Sequence, residues 1–596
     1  MAAAGGSIGV LIRSVTPDLF RGPLWGEEKG LRRHRSLAAP SPRNESGVTG
    51  RVWKAPGRQC ASICAPPSRR GRTSPLLRAT ARRMPAFLSR HPAVVALILG
   101  AIAATGFAPL QLWPLTLVGI AGLAALVQRA DTGRRGLWLG WCWGVGHFTI
   151  NNNWFQHAFD FQDKMPPVLG YFAAVGLALY LAIFPMAVAG VGWRFGRGAR
   201  PDAGYAFVFA AAWIASEYLR SVLFSGYAWD PIGVIWLPVI GVARLSAWIG
   251  TYALSGLTVL AAVSLLLLPQ RRWRLPAGLA ALFAVAAVSA LWTQAPAARP
   301  DAPLLRVVQP NVGQDARGEG DQEVMLAALI RQSGTPGPRP RLVLWPEGVI
   351  RDYLESGYPR WIYDGQSPLF NRWRLARLLG PRDVLMTGHT PLRFDAAGDV
   401  AGASNSVFAL DARARIVGRY DKAHLVPFGE YLPVPWLLKP LGLARLVPGD
   451  FDFDDGPGPR TLTIPGFGAI GFQICYEINF SGRIVDEAHR PAIIFNPSTD
   501  AWFGRWGPPQ HLAQARMRAI EEGLPIVRST PTGISAVIAA DGRLLATVPH
   551  ETAGAIEVPM PPALPPTLVS RLGNFAALIV ALGFAAAAIA IRRCAR

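Results

Sequence analysis

The sequence is poor in charged residues. Aspartate, glutamate, lysine and arginine make up 16% of its 596 residues, whereas apolar residues make up 51%. A purely soluble protein usually has about a quarter of its residues charged, so this composition argues against one. The apolar content also excludes a disordered chain, which would have too little apolar surface to bury on folding. The length is too great for one ordinary domain.

Acidic residues are scarcer than basic ones, 38 against 60, which leaves a net charge of +22. Residues 1–83 alone hold 16 lysines and arginines against 4 acidic residues, and much of the remainder lies in short clusters between apolar runs. Because membrane proteins place basic residues in this way, we predict no nucleic-acid partner. Residues 1–83 show no helical or strand period, so we expect a disordered basic extension and a natural start at Met84. An organelle transit peptide is the alternative.

Cysteine and lysine are the rarest chemically active residues, with five of each. Cys60 and Cys64 have the spacing of one half of a zinc site, but the sequence offers no second pair. We therefore predict neither a metal nor another cofactor. Between residues 297 and 570 the sequence has one cysteine, Cys475, and two lysines, one of them Lys422.

The main feature of the sequence is a set of eight apolar runs. A run of about 17–25 apolar residues can cross a bilayer, and seven of the eight fall within roughly 200 residues, which favours membrane spans over buried core helices. We predict about eight transmembrane helices. They lie near residues 93–107, 114–127, 136–154, 169–193, 203–223, 252–268, 275–292 and 574–591.

Basic residues alternate between the loops that join these runs. Three alternate loops carry nine arginines, and the opposite loops carry only Lys164 and Arg244. Cytoplasmic loops are the basic ones in membrane proteins, so we expect both termini in the cytoplasm. The predicted organisation is a seven-helix membrane domain at 84–296, an extracytoplasmic domain at 297–570, and a last helix with a basic tail at 571–596.

The predicted extracytoplasmic domain has an α/β pattern. Short apolar runs that end in polar residues alternate with longer mixed segments. In such sheets the reactive groups usually follow the carboxyl ends of the strands. We predict strands at 304–309, 341–345, 383–387, 406–410, 469–474 and 492–495, and helices at 322–332 and 511–522.

Three polar residues stand out, namely Glu347, Lys422 and Cys475. Glu347 and Cys475 follow predicted strands, and Lys422 lies within residues 418–431. Each also has an ordinary interpretation: a helix-capping acid, a surface lysine and a buried core thiol. However, a single thiol without a disulfide partner is a liability in an oxidising compartment unless it is used. Together the three supply a base, a cation and a nucleophile, and that combination points to covalent catalysis.

The motifs around these residues resemble a known family. Trp345-Pro346-Glu347, Lys422 with residues 423–431, and Cys475-Tyr476-Glu477 are similar to the nitrilase (carbon–nitrogen hydrolase) superfamily with its Glu–Lys–Cys triad. Because membrane spans flank them, residues 90–592 resemble the membrane-embedded branch, the apolipoprotein N-acyltransferases. The resemblance implies an αββα sandwich for residues 297–570. One departure is the absence, near Gly318, of a tryptophan that many members carry.

The resemblance also implies an activity. Cys475 would attack a phospholipid acyl donor, Glu347 would act as general base and Lys422 would stabilise the oxyanion. The acyl group would pass through a thioester to a diacylglyceryl-modified lipoprotein acceptor, with ping-pong kinetics. The implied location is the bacterial inner membrane, in contact with membrane lipids, with the catalytic domain in the periplasm.

The same resemblance assigns supporting roles. Glu430 would be a second acid that holds Lys422 or assists proton transfer, with a loop cap as its ordinary interpretation. The remaining supporting residues are Tyr476 and Glu477 at the nucleophile turn, Asn405 in the pocket, and Trp502 and Phe503 in a lid that contacts acyl chains. For Trp502 and Phe503 the alternative is ordinary core packing.

Two charged residues, Glu217 and Arg220, fall at the end of the fifth apolar run. Charged groups at membrane depth are costly and often functional, and the alternative is a structural ion pair between the two.

Two other functions remain open from the sequence. A membrane-anchored amidase or nitrile hydrolase would use the same triad on a small substrate, although seven spans before the domain argue against it, because one anchor would suffice. A non-catalytic scaffold or transporter would carry the triad as a vestige.

Overall fold

A computed structural model describes residues 90–161, 165–313, 322–363, 365–442, 445–446 and 452–594. The predicted basic extension at 1–83 and the position near Gly318 lie outside these residues.

The first half of the described chain is helical. Each predicted apolar run there coincides with one helix or with two helices in succession. The helices are α1 Pro92–Ala104, α2 Trp113–Arg129, α3 Gly133–Asn151, α4 Leu169–Leu181, α5 Ile183–Val191, α6 Ala203–Val222, α7 Ile240–Ala243, α8 Ser246–Ser264 and α9 Arg274–Ser289.

Four helical stretches of the described residues are long and apolar enough to cross a membrane. They are Leu169–Gly196, Ala203–Ser225, Ser246–Gln270 and Phe575–Cys594. Three more helices are apolar but shorter: Pro92–Ala104, Trp113–Arg129 and Arg274–Ser289. The apolar helical region is therefore confirmed, and the number of crossings stays a prediction.

Small residues bring α1 and α3 into close contact. A Cβ atom on Gly100 would lie 1.9 Å from the carbonyl oxygen of Trp143, and one on Gly146 would lie 2.0 Å from that of Leu97. No side chain fits at such distances, so the two helices pack backbone against backbone, as small residues allow in membrane bundles.

Hydrogen bonds join the arginine-bearing loops to one another at one end of the helical bundle. Gln128 donates to the carbonyl oxygen of Gly198, and Gln270 donates to that of Pro201. Arg592, at the end of the last helix, donates to carbonyl oxygens of the same region. The basic loops therefore share one end, and the opposite helix ends are left to meet the α/β domain.

The α/β domain contains two six-stranded sheets within the described residues. Their strand orders are β14-β1-β2-β3-β6-β7 and β13-β12-β11-β10-β9-β8. β1, β2 and β3 run parallel, as do β9, β10 and β11. The strands are β1 Leu304–Gln309, β2 Arg341–Leu344, β3 Val384–His389, β4 Leu392–Phe394, β5 Val400–Ala403, β6 Ser406–Asp411, β7 Ile416–Asp421, β8 Thr461–Ile464, β9 Gly468–Phe472, β10 Ile493–Pro497, β11 Ile526–Ser529, β12 Ser535–Ile538, β13 Leu544–Val548 and β14 Gly554–Pro559.

Helices cover the outer face of each sheet, which gives an αββα sandwich. The central core joins side chains of both sheets, such as Leu344 and Phe472. Leu326 and Leu375 pack on the outside of the first sheet, and Ala515 packs on the outside of the second. The helices of this half are α10 Gln322–Ser333, α11 Pro368–Ala376, α12 Pro435–Leu438, α13 Gly507–Glu522, α14 Leu568–Leu572 and α15 Phe575–Cys594.

Candidate active site

The structure brings the three strand-end residues together. Glu347 follows β2, Lys422 follows β7 and Cys475 follows β9, so that both sheets contribute. All three line one cavity of about 560 Å³, which we call the reactive cavity. The Lys422 Nζ atom lies 3.6 Å from the Glu347 Oε1 atom.

Lys422 is buried between two carboxylates. Its Nζ atom lies 2.9 Å from the Glu430 Oε1 atom, and only 1% of the residue is exposed. Burial alone would lower the pKa of Lys422, but the charges of Glu430 and Glu347 outweigh burial and raise that pKa well above its ordinary value. Lys422 therefore stays a cation.

Asn405 connects the two carboxylates. Its Nδ2 atom donates to Glu347 Oε1 over 2.7 Å and to Glu430 Oε1 over 2.8 Å. Its carbonyl oxygen accepts the backbone N–H of Lys422 over 2.8 Å. The side-chain amide of Asn405 thus orients both acids, and its backbone carbonyl oxygen holds the start of the lysine segment. This geometry suits the supporting role predicted for Asn405.

Cys475 sits in a left-handed backbone conformation, with a φ of 52°. A non-glycine residue there is strained and must be held by its surroundings. Glu477 holds the turn, because its carboxylate accepts the N–H groups of Ile474 and Ala423, each over 2.7 Å. Burial raises the pKa of Glu477 to about 7, against the opposing charge of Lys422. Glu477 therefore joins the nucleophile turn to the segment that follows Lys422.

The thiol of Cys475 is buried and neutral at rest. Burial and the charge of Glu347 raise its pKa well above the ordinary value, although Lys422 and the Thr499 backbone N–H favour the thiolate. A neutral thiol needs a base to become a nucleophile. The Glu347 Oε2 atom is buried and has no hydrogen-bond partner within the described part of the chain, so it is the oxygen available to accept that proton.

A buried polar network behind Cys475 escaped the sequence interpretation. His511 Nε2 donates to the carbonyl oxygen of Cys475 over 3.1 Å, while His511 Nδ1 lies 2.9 Å from Arg528 Nη2 and 3.0 Å from Asp500 Oδ1. Burial and Arg528 lower the pKa of His511. The carbonyl oxygen of Cys475 can only accept, so His511 Nε2 carries a proton, while Nδ1 faces both Arg528 and Asp500.

Asp500 completes this network through a 2.5 Å hydrogen bond from Arg528. Burial opposes ionisation of Asp500, but Arg528 and His511 outweigh it and lower the pKa to about 2. Four polar residues of α13 are fully buried, which their spacing in the sequence does not indicate: Gln510, His511, Gln514 and Arg518.

Tryptophan and phenylalanine form one wall of the reactive cavity. The Phe503 ring centroid lies 4.8 Å from that of Trp154 and 5.5 Å from that of Trp229. Gln510 fixes both indoles, because its Oε1 atom accepts their N–H groups over 3.0 and 2.8 Å. Trp502 also lines the cavity. Both residues of the predicted aromatic pair line the cavity, and they lie in a short 3₁₀ turn, Ala501–Phe503.

The Gln510 amide also reaches the helical region of the first half of the chain. Its Nε2 atom donates to the carbonyl oxygens of Ala108 and Asn151, over 3.2 and 3.1 Å. The cavity wall and the ends of α1 and α3 are therefore held by one side chain. Tyr476 makes a similar connection, since its hydroxyl donates to the carbonyl oxygen of Gly226 over 3.2 Å.

The ion pair considered for Glu217 and Arg220 is wrong. In the described residues no ion pair within 4.0 Å joins them, and each bonds elsewhere. Glu217 accepts from the Trp213 indole and from the backbone of Ile232, each over 2.9 Å. Arg220 donates to the carbonyl oxygen of Trp229 over 2.7 Å. Both residues therefore form hydrogen bonds with backbone or indole groups next to the cavity wall.

Histidine, cysteine and acidic side chains do not gather elsewhere into a metal centre. Across the residues that the structure describes, no group of three or more of them could hold a metal ion.

Comparison with known proteins identifies the family. Residues 99–264 match the family model of the apolipoprotein N-acyltransferase N-terminal domain, and residues 340–564 match that of carbon–nitrogen hydrolases. An apolipoprotein N-acyltransferase of Rhodopseudomonas palustris is 32% identical over 82% of this chain and 93% of its own length. One of Bradyrhizobium diazoefficiens is 33% identical over 84% of this chain and 95% of its own length. A carbon–nitrogen hydrolase structure from Helicobacter pylori aligns with 43% of this chain and 88% of its own length at 18% identity, with a TM-score of 0.31. The chain belongs to the apolipoprotein N-acyltransferase family.

Proposed function

We propose that this protein transfers an acyl chain from a phospholipid to the N-terminal amine of a diacylglyceryl-modified cysteine on bacterial lipoproteins. One observation carries the proposal: a thiol, a carboxylate and a buried ammonium line an apolar cavity between the catalytic domain and the ends of membrane helices. The membership of the chain in the family supports the same activity.

The mouth of the reactive cavity suits a lipid substrate. Leu177 and Tyr180 of α4 line it, as does Phe224 in the segment after α6. Phe224 is 82% exposed, and Leu177 belongs to a helix apolar enough to cross a membrane. Withdrawing an acyl chain into water would cost about 0.8 kcal/mol per methylene. A cavity that begins on a membrane helix lets the ester reach the thiol while its chains stay in lipid.

The first half-reaction forms a thioester. Glu347 takes the proton of the Cys475 thiol as the sulfur attacks the ester carbonyl, and Lys422 stabilises the charge that develops on the carbonyl oxygen. The tetrahedral intermediate then breaks its carbon–oxygen ester bond. The lysophospholipid leaves with the proton that Glu347 held, and the acyl group stays on sulfur.

The second half-reaction transfers the acyl group to nitrogen. The amine of the lipoprotein attacks the thioester, Glu347 accepts a proton from that amine, and the carbon–sulfur bond breaks. The thiolate then takes the proton that Glu347 holds, which restores the resting thiol and the Glu347 carboxylate. Glu430 and Asn405 act through Lys422 and Glu347, because their hydrogen bonds keep both groups in place for each step.

The proposed location is the bacterial inner membrane, with eight spans, both termini in the cytoplasm and the catalytic domain in the periplasm. The arrangement of basic loops supports it, because those loops lie together at the end of the bundle away from the reactive cavity. Both substrates, a phospholipid and a lipid-modified protein, are membrane-bound, so spans on both sides of the catalytic domain would keep it at their level.

The test uses purified full-length protein and a phospholipid labelled in its sn-1 acyl chain. The expected result is a hydroxylamine-sensitive label on Cys475, which is absent in Cys475→Ser and present in Cys594→Ser, a change at an exposed cysteine. Subsequent addition of a diacylglyceryl-modified peptide should move the label to its amine. Wild-type protein that stays unlabelled but hydrolyses small amides would overturn the proposal in favour of an amidase.

A further inference from the structure

A second cavity lies where the catalytic domain leads into the last membrane helix. It measures about 360 Å³ and is bordered by the end of α13, by residues 482–490 and by α14. We call it the junction pocket. None of its lining residues lines the reactive cavity, so it is a separate site.

Charged side chains of both signs line the junction pocket. Arg490, Arg571, Glu487 and Glu522 all border it, together with Ser570. Glu522 is 3% exposed and takes a hydrogen bond from the Ser570 side chain. Two cations and two carboxylates around one pocket match a ligand that itself carries both charges.

Arg490 has one half of its guanidinium free. Its Nη2 atom donates to the carbonyl oxygens of Glu522 and Leu564, over 2.7 and 3.3 Å. Its Nη1 atom is buried and has no hydrogen-bond partner within the described residues. A buried donor without a partner is unfavourable, and an anionic group in the pocket would accept a hydrogen bond from it.

The junction pocket lies at the edge of an apolar surface. Immediately after it, α15 exposes Phe575, Ile579 and Leu582, with exposed fractions of 70%, 60% and 61%. This helix is long and apolar enough to cross a membrane. Charged and polar groups just before such a helix are typical of the level of the lipid head groups.

We propose that the junction pocket binds the head group of a resident phospholipid that carries a primary amine, which goes beyond the acyl transfer proposed above. The phosphate would contact Arg490 and Arg571, the ammonium would contact Glu487 or Glu522, and the acyl chains would lie along α15. A ligand with negative charge only would face two carboxylates, and a head group with a quaternary amine would lack the N–H donors that they can accept.

The bound lipid would hold the segment that connects the nucleophile turn to the membrane. Residues 482–490 follow the turn that begins at Cys475. The Asn574 side chain, at the start of α15, donates to the carbonyl oxygen of Ser481 over 2.8 Å. A head group between residues 482–490 and α14 would therefore support the connection from one side while Asn574 supports it from the other.

The test reconstitutes the full chain, with Cys475→Ala to prevent turnover, in nanodiscs that contain a trace of phosphatidylethanolamine with a photoreactive diazirine in one acyl chain. After illumination, labelled peptides are mapped by mass spectrometry. The expected result is label in residues 566–582 that unlabelled phosphatidylethanolamine competes away, whereas phosphatidylcholine with the same chains and inorganic phosphate do not.

Variants decide whether the pocket is responsible. Combining Arg490→Gln with Arg571→Gln should lower this label roughly tenfold, since each change removes a charge-assisted hydrogen bond. Arg593→Gln, at the opposite end of α15, should leave the label unchanged. The proposal would be overturned if the double variant took up as much label as Arg593→Gln. It would also be overturned if phosphatidylcholine competed as well as phosphatidylethanolamine. Label in the reactive-cavity peptides alone would also overturn it, and would leave the proposed acyl transfer intact.

Discussion

The carbonyl oxygen of Cys475 accepts a hydrogen bond from His511 Nε2 over 3.1 Å. Because this bond fixes the backbone of the strained nucleophile, His511 is a positioning residue. We expect His511→Leu to slow thioester formation roughly tenfold, which corresponds to about 1.4 kcal/mol for the lost bond. His511→Gln, which keeps a side-chain N–H, should recover part of the rate. Single-turnover labelling measures both, and equal rates in His511→Leu and wild-type protein would contradict the assignment.

Replacement of Lys422 tests the oxyanion role. Loss of one donor to a developing oxyanion costs about 10²–10³ in rate, so we expect Lys422→Met to lose at least that factor in kcat. The change also leaves Glu347 and Glu430 without their buried cation, so thermal unfolding in detergent should shift to lower temperature. Lys439→Met, at an exposed lysine of the same domain, is the matched control and should keep both properties.

Glu430 controls the charge of Lys422. Its carboxylate raises the pKa of Lys422 together with Glu347, so Glu430→Gln should lower that pKa. The ammonium is then lost at a lower pH, and the pH profile of kcat should show an alkaline fall that wild-type protein lacks. Glu557→Gln, on the surface of the domain, should leave the profile unchanged. An unaltered alkaline side in Glu430→Gln would show that Glu430 does not act through Lys422.

Asp500 makes stability depend on acid pH. Its pKa falls from 3.8 to about 2 in the folded protein. A carboxyl group with a lowered folded pKa stabilises the fold above its unfolded value, and this stabilisation is lost as pH falls towards the folded value. The contribution is about 2 kcal/mol, and Asp500→Asn should remove that pH dependence. Unfolding by denaturant between pH 2 and 4 measures it, with the exposed Asp455→Asn as control; the same slope in Asp500→Asn would contradict it.

Gln510 should influence which acyl chains the reactive cavity accepts. Gln510→Leu leaves the indole N–H groups of Trp154 and Trp229 without their acceptor, so the aromatic wall loses its fixed position. We expect the ratio of kcat/KM for long-chain over short-chain phospholipid donors to change, beyond any loss of stability. Gln270→Leu removes an amide at the other end of the bundle and should leave that ratio unaltered. The same ratio in all three proteins would show that Gln510 has only a structural role.

Much of the fold was predictable because residues on the buried face of a helix or strand give a periodic pattern of apolar residues in the sequence. The predicted strand 304–309 coincides with β1, and the predicted helix 322–332 differs from α10 by one residue. Apolar runs also located the apolar helices. The number of membrane crossings stays a prediction, because helices such as Pro92–Ala104 are apolar but shorter than a span requires.

The strand pattern alone predicted only those residues of the candidate site that follow strands, and the supporting residues came from the family resemblance. Glu347, Lys422 and Cys475 stand at strand ends, and the structure gathers them in one cavity. The network of Asp500, His511 and Arg528 was missed, because its side chains come from separate elements that meet behind the sheet. The spacing of these residues along the chain does not predict that contact. Gln510 was missed for the same reason, since its partners lie more than 280 residues away in the chain.

The apolar walls of the reactive cavity bear on how long a thioester would survive. On their side of the cavity, Trp154, Trp229 and Phe503 offer no acceptors that would retain a water molecule, so the polar partners that water needs are confined to the side of the catalytic groups. An apolar wall on one side of the sulfur leaves fewer positions for water, which would slow spontaneous hydrolysis of the thioester. An acylated enzyme could therefore wait for its second substrate, and this persistence distinguishes a transferase from a hydrolase that carries the same three groups.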